Sequence, residues 1–77
     1  MILLVGDSSK PDVTHAIAQV EPLLREFDEV VVDTDQTHDH RKHPPSLVIN
    51  FGGDGSILRT AGRMGPDVPL LGVNFGK

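Results

Sequence analysis

The sequence contains no cysteine, no tryptophan and no tyrosine. Without cysteine there is no disulfide scaffold, no Cys-based zinc site and no thiol nucleophile, and the chain suits a reducing compartment. The only aromatic residues are Phe27, Phe51 and Phe75, so material for a core is thin. Long apolar runs are missing too. The opening Met1–Val5 is far short of the ~20 residues of a membrane span, and no basic segment precedes it as in a signal peptide. Positive charge is scarce: 7 Lys and Arg stand against 11 Asp and Glu, a net charge of −4. That balance leaves no electrostatic footprint for nucleic acid or an anionic membrane, so neither is expected as a partner. The 77 residues allow one small domain, since chains of roughly 60 residues bury only ~60% of their unfolded surface. The expectation is a soluble, cytoplasmic piece of α/β protein.

Four short apolar runs are present: Ile2–Val5, Val30–Val32, Leu47–Ile49, and Leu70-Leu71 with Val73. They are continuous rather than alternating and bounded by Gly, Asp, Asn or Pro, as for strands buried on both faces of a parallel sheet. Between the first two, Val13, Ile17, Val20, Leu23, Leu24 and Phe27 recur at helical spacing. Pro11 suits the first turn of that helix. Pro22 lacks a backbone donor and predicts a kink or break near Val20–Pro22, with helix on both sides. Residues 33–45 are polar and without period, and they read as a mobile surface loop. A second helix is expected to start just after the glycines at 52–55 and run towards Arg63, with Gly65-Pro66 stopping it. The order β-α-β-loop-β-α-β predicts a Rossmann-like parallel sheet with flanking helices and right-handed crossovers. The chain closes on a strand entering a glycine turn, Gly72–Lys77, at the strand edge where open α/β sheets build their sites. It therefore reads as the front part of a longer protein.

The strongest chemical signal is Asn50-Phe51-Gly52-Gly53-Asp54-Gly55-Ser56, between a strand and a helix. Three glycines in four positions would permit positive φ and let a ligand approach with no Cβ in the way. The amides of the following helix N-terminus suit a phosphate. The spacing is neither Gly-x4-Gly-Lys-Ser/Thr nor Gly-x-Gly-x-x-Gly. Asp54 sets the motif apart, because a carboxylate among phosphate-binding glycines repels phosphate unless it holds Mg²⁺ or accepts a proton from an attacking hydroxyl. The plainer alternative is a tight turn with Asp54 or Ser56 as a helix cap. His38, His40 and His43 with Asp33, Asp35 and Asp39 contain metal-ligand residue types. Set in an unstructured loop they offer no preformed geometry, and no metal site is assigned to them.

Gly52-Gly53-Asp54-Gly55-Ser56-Ile57-Leu58-Arg59 resembles the GGDG(T/S)-x-L-(R/H/K) signature of the NAD kinases, whose superfamily includes diacylglycerol and sphingosine lipid kinases and 6-phosphofructokinases. Gly72-Val73-Asn74-Phe75-Gly76 is similar to that family's second glycine motif, G-(I/V)-N-x-G. The resemblance covers residues 1–77 as a single partial α/β domain, the amino-terminal portion of such an enzyme. The family's Asn-Glu/Asp motif and carboxyl-terminal β-rich domain are not in this chain. The resemblance implies phosphorylation of the adenosine-ribose 2′-hydroxyl of NAD by ATP, giving NADP and ADP, with a divalent ion such as Mg²⁺ as cofactor and a homo-oligomeric full-length protein. It assigns Asp54 as general base and NAD contact. Gly52, Gly53 and Gly55 would cradle phosphates, Arg59 would supply a basic group near NAD, and Asn74 and Phe75 would line the crevice.

Phosphoryl transfer depends on positioning and charge neutralisation, so a base, Mg²⁺ and glycine amides could suffice. An exposed carboxylate is a weak base, so proton removal from a sugar hydroxyl would be late and concerted with bond formation. The rival enzyme is a lipid kinase of the diacylglycerol type, which also uses Gly-Gly-Asp-Gly. The second glycine motif and the lack of an amphipathic or basic membrane-facing stretch argue against it. The rival of another class is a non-catalytic nucleotide-binding module of the same fold. The 77 residues alone, holding half a site, are expected to be inactive.

Overall fold

A computed structural model describes residues 1–75. Its elements are β1 (Ile2–Gly6), α1 (Pro11–Leu24), β2 (Val30–Asp33), β3 (Leu47–Gly52), α2 (Asp54–Met64) and β4 (Leu70–Asn74). All strands pair in parallel, in the order β2-β1-β3-β4. This is the α/β architecture expected from the continuous apolar runs. β1 lies between β2 and β3 and is buried on both faces, which is why its run does not alternate.

The two helices take opposite faces. Ile2, Leu4, Val30, Ile49 and Phe51 pack with Val13 and Ile17 of α1. Leu3, Val5 and Val48 pack with Met64 of α2. Phe51, 1% exposed, is the largest of the fully buried side chains, and its removal from water is worth ~1.5–3 kcal/mol. It anchors the strand directly before the glycine loop. No helix among the described residues is long and apolar enough to cross a membrane.

Four local expectations are corrected. α1 runs through Pro22 without a break and ends two residues later, at Leu24. Proline there removes one hydrogen bond, to the carbonyl of exposed Ala18, where water can replace it. Phe27, expected on the apolar helix face, lies beyond that end and is 85% exposed. α2 begins inside the glycine motif, at Asp54, with Gly53 as its N-cap, so Gly55 is helical. None of the loop glycines uses positive φ; the only described glycine that does is Gly65, which ends α2 at φ 86°.

Residues 34–46 contain no helix or strand, but hydrogen bonds shape them. Buried Asp33 accepts the amides of Thr37 (2.9 Å) and His38 (3.3 Å). Asp39 accepts those of Arg41 (3.0 Å) and Lys42 (3.3 Å). These two amides hold the Asp39 carboxyl below its ordinary pKa, the Arg41 amide most. Among the described residues no three His, Asp or Glu side chains converge into a metal-sized group.

Candidate functional site

The chain leaves β1 for β2 on one side and leaves β3 for β4 on the other, so the connections diverge between the carboxyl ends of β1 and β3. Open α/β sheets bind ligands at such a switch point. Glycine closes both strands. A Cβ on Gly6 would lie 2.5 Å from Val13 Cγ1 and 2.9 Å from the Phe51 carbonyl oxygen. Gly6 is thus a packing glycine that lets α1 approach the strand ends.

The glycines of the motif divide by surroundings. Gly52 is buried, and a Cβ there would meet Ser56 Oγ at 2.9 Å and Ser56 Cβ at 3.0 Å. Gly53 has nothing within 4 Å of that position, and Gly55 has only Arg59 Nη1, at 3.4 Å. Gly53 and Gly55 therefore leave the approach to the first turn of α2 open, while Gly52 seats the helix on the strand.

Asp54 is the first residue of α2 and is exposed. Neither residue that could cap the helix does so. No side chain caps α2; Ser56 Oγ instead takes a hydrogen bond from Asn50 Nδ2 at 3.2 Å. One carboxylate oxygen of Asp54 accepts a hydrogen bond from Asn74 Nδ2, and the other has no partner among the described residues. The β3–β4 register brings the pair together: Gly52 pairs with Asn74, and the Phe75 amide extends the ladder to the Gly52 carbonyl at 2.9 Å. Phe75 lies on the α1 side, in an open crevice of about 500 Å³ with Lys10, Asp12, Gly52 and Gly53. Gly76, the last glycine of the second motif, lies outside the described residues.

Arg59 folds back along α2, its Nη1 beside Gly55. It shares a polar cavity of about 220 Å³ with Arg63, one turn further along the helix, and with Asn50, Ser56, Thr60, Asp33 and Asp7. The structure thus brings Gly52, Gly53, Asp54, Gly55, Arg59, Asn74 and Phe75 to one end of the sheet, on three sides of the same loop.

Sequence reasoning missed the group that holds this loop. Asn50, 1% exposed, accepts from Thr60 Oγ1 at 2.6 Å and donates to Ser56, so β3 is tied to the first two turns of α2. The available signal was an asparagine inside an apolar strand run, with hydroxyls at helical spacing four apart beyond it. It also missed Arg63, four residues after Arg59 and on the same helix face.

Residues 3–77 match the family model of the ATP-NAD kinase N-terminal domain. The chain belongs to that family. Among its relatives, an NAD kinase of Methanospirillum hungatei is 36% identical over 83 aligned residues, covering 99% of this chain and 31% of the relative. An NAD kinase of Rhodopirellula baltica is also 36% identical, over 78 residues, covering 99% of this chain and 25% of the relative. A shorter match, 45% identical over 49 residues, links 60% of the chain to an NAD kinase of Syntrophotalea carbinolica. The chain thus spans about a quarter to a third of the length of the first two relatives. As an ATP-NAD kinase N-terminal domain, it sets the glycine loop against a parallel sheet of four strands.

Proposed function

We propose that this chain forms one wall of an NAD kinase site, at which the 2′-hydroxyl of the adenosine ribose of NAD attacks the γ-phosphorus of ATP. The observation that carries this reading is Asp54: an exposed carboxylate on the first turn of α2, spared from capping, held by Asn74 and flanked by the open positions Gly53 and Gly55.

Asp54 accepts the proton of the attacking hydroxyl as the new P–O bond forms, and ADP leaves with the electrons of the bond it loses. The Asn74 amide fixes the carboxylate, so little reorientation is needed at the moment of attack. First-turn amides of α2 face the phosphates with the positive end of the helix dipole. Arg59, folded towards Gly55, places positive charge beside the same turn. Phe75 and Asn74 border the dinucleotide on the β4 side. The oxygen of Asp54 not held by Asn74 is taken up by the proton, so a divalent ion would be held chiefly by the substrate phosphates. When bound, Mg²⁺ would neutralise phosphate charge.

The test is Asp54→Asn in the full-length protein, which keeps size and Asn74 contact but removes the base. NADP formation from NAD and ATP is expected to fall by roughly 10²–10⁴-fold, with a much smaller change in nucleotide affinity. Near-normal turnover would overturn the assignment. The 77 residues alone lack the rest of the site and are expected to give no NADP in the same coupled assay.

A further inference from the structure

Where β3 meets β4, two asparagines and two glycines form a crossed arrangement beneath α2. Asn50 pairs in register with Gly72, and two residues on, Gly52 pairs with Asn74. Side chains alternate along a strand, so all four positions share one face, the one that α2 covers. At the glycine corners the helix comes close. A Cβ on Gly52 would lie 2.9 Å from Ser56 Oγ, and one on Gly72 would lie 2.8 Å from Ile57 Cδ1. At the other two corners the asparagines make polar ties. Asn74 holds the Asp54 carboxylate, and Asn50 holds Ser56 and Thr60, in the first and second turns of the helix.

The start of α2 has little else to orient it. Its N-cap is Gly53, and no side chain caps its first-turn amides. The Asp54–Asn74 hydrogen bond is exposed, so water competes for both partners. The buried tie is the one from Asn50, 1% exposed, on a strand with neighbours on both sides. A buried amide in an apolar strand is costly unless bonded, and an apolar pair of similar shape would hold helix to sheet about as well. What the amide adds is direction. Bonds to Thr60 at 2.6 Å and to Ser56 at 3.2 Å fix both the rotation of α2 about its axis and its height along β3. Rotation decides which way Asp54 points, because it shares the first turn with Ser56.

We propose that Asn50 and Thr60 are positioning residues for Asp54: their buried hydrogen bond sets the rotation of α2 that brings the carboxylate to Asn74. The inference rests on the NAD kinase reading for the reaction that Asp54 serves. It assigns a role in that reaction to two residues outside both glycine motifs. Neither touches the reacting atoms, and both act through the helix.

The experiment compares variants of the full-length protein by steady-state NADP formation, urea unfolding and the NMR signal of the Asn74 side-chain amide. Thr60→Val keeps shape and removes the hydroxyl. Its kcat is expected to fall about 10- to 100-fold, the scale of a misplacement of about 1 Å, with KM unchanged and the Asn74 signal shifted. Thr60→Ser keeps the hydroxyl and should retain the wild-type kcat and signal. Asn50→Val combined with Thr60→Val leaves no buried acceptor unpaired, so it should recover the stability that Thr60→Val loses but not the turnover. In an Asp54→Asn background, Thr60→Val should lower kcat no further, because both changes act through one group. Turnover recovered along with stability in the double variant, an undiminished effect of Thr60→Val in the Asp54→Asn background, or an equal loss from Thr60→Ser would each overturn the positioning role. The two readings fail separately. If Asp54→Asn lowers NADP formation while Thr60→Val changes neither kcat nor the Asn74 signal, the positioning role alone is refuted. If the Asn74 signal follows Thr60→Val but Asp54→Asn turns over normally, the assignment of Asp54 as base alone is refuted.

Discussion

Alanine placed in turn at Gly52, Gly53 and Gly55 should give three different results, although the residues occupy one motif. At Gly52 the added methyl would meet Ser56 Oγ at 2.9 Å and Ser56 Cβ at 3.0 Å. Ser56 Cβ is fixed to the helix backbone and Oγ is bonded to Asn50, so neither can swing aside cheaply. Relief requires α2 to lift from β3, and overpacking of this kind typically costs ~1–3 kcal/mol. At Gly53 the space is empty and φ is −93°, a value alanine adopts without strain. Gly53→Ala should leave stability within about 0.5 kcal/mol of wild type and weaken nucleotide binding. Gly55 is helical, and its only neighbour is the flexible Arg59 head group at 3.4 Å. Gly55→Ala should raise stability by up to ~1 kcal/mol through helix propensity, again at the expense of binding. Urea unfolding followed by circular dichroism, paired with ATP titration, separates the three. The reasoning is refuted if Gly53→Ala destabilises more than Gly52→Ala, or if Gly53→Ala and Gly55→Ala both bind nucleotide normally.

Thr60→Val removes the hydroxyl 2.6 Å from Asn50 Oδ1 while keeping side-chain shape, leaving that oxygen only a 3.5 Å contact with Ser56. A loss of about 1–3 kcal/mol in urea unfolding is expected, and a stability equal to wild type would show that the buried bond contributes nothing. Asp7 is held below its ordinary pKa by the Ser9 hydroxyl and then by the Ser9 amide. Its contribution to stability is therefore present above the unfolded carboxylate value and fades as pH falls through the lower folded one. In Ser9→Ala the Asp7 titration midpoint, followed by NMR, should move up towards the ordinary carboxylate range; an unmoved midpoint would contradict the hydrogen-bond cause.

Much of the fold was legible because burial on both faces leaves a direct trace: β1, β2 and β3 had to be continuous apolar runs, and α1 between them had to carry Val13 and Ile17 at helical spacing. Helix ends were less legible. A proline rule states the loss of one hydrogen bond but not whether it falls in the last turn, and so α1's continuity through Pro22 and the exposure of Phe27 were missed. Glycine is equally ambiguous, since it serves positive φ, close packing and open approach alike. The motif uses only the last two, with packing at Gly52 and open approach at Gly53 and Gly55. Asn50 was read as part of the motif and Arg63 as the end of α2, but what each faces was not legible, because it depends on how α2 is rotated about its axis, which no local pattern specifies.

The contact between Asp54 and Asn74 makes the site a detector of strand register. Asp54 belongs to α2, Asn74 to β4, and they meet only because Gly52 pairs with Asn74. Side chains alternate along a strand, so a slip of β4 by one residue would turn Asn74 to the α1 side and offer Val73 or Phe75 to the carboxylate. A chain that pairs its fourth strand wrongly could keep its helices and much of its apolar contact, and yet would leave Asp54 without its fixing amide. On the proposed reading, Asp54 gains its fixing amide only when β4 is docked in this one alignment, so activity recovered by the refolding full-length protein would report that alignment rather than helix content.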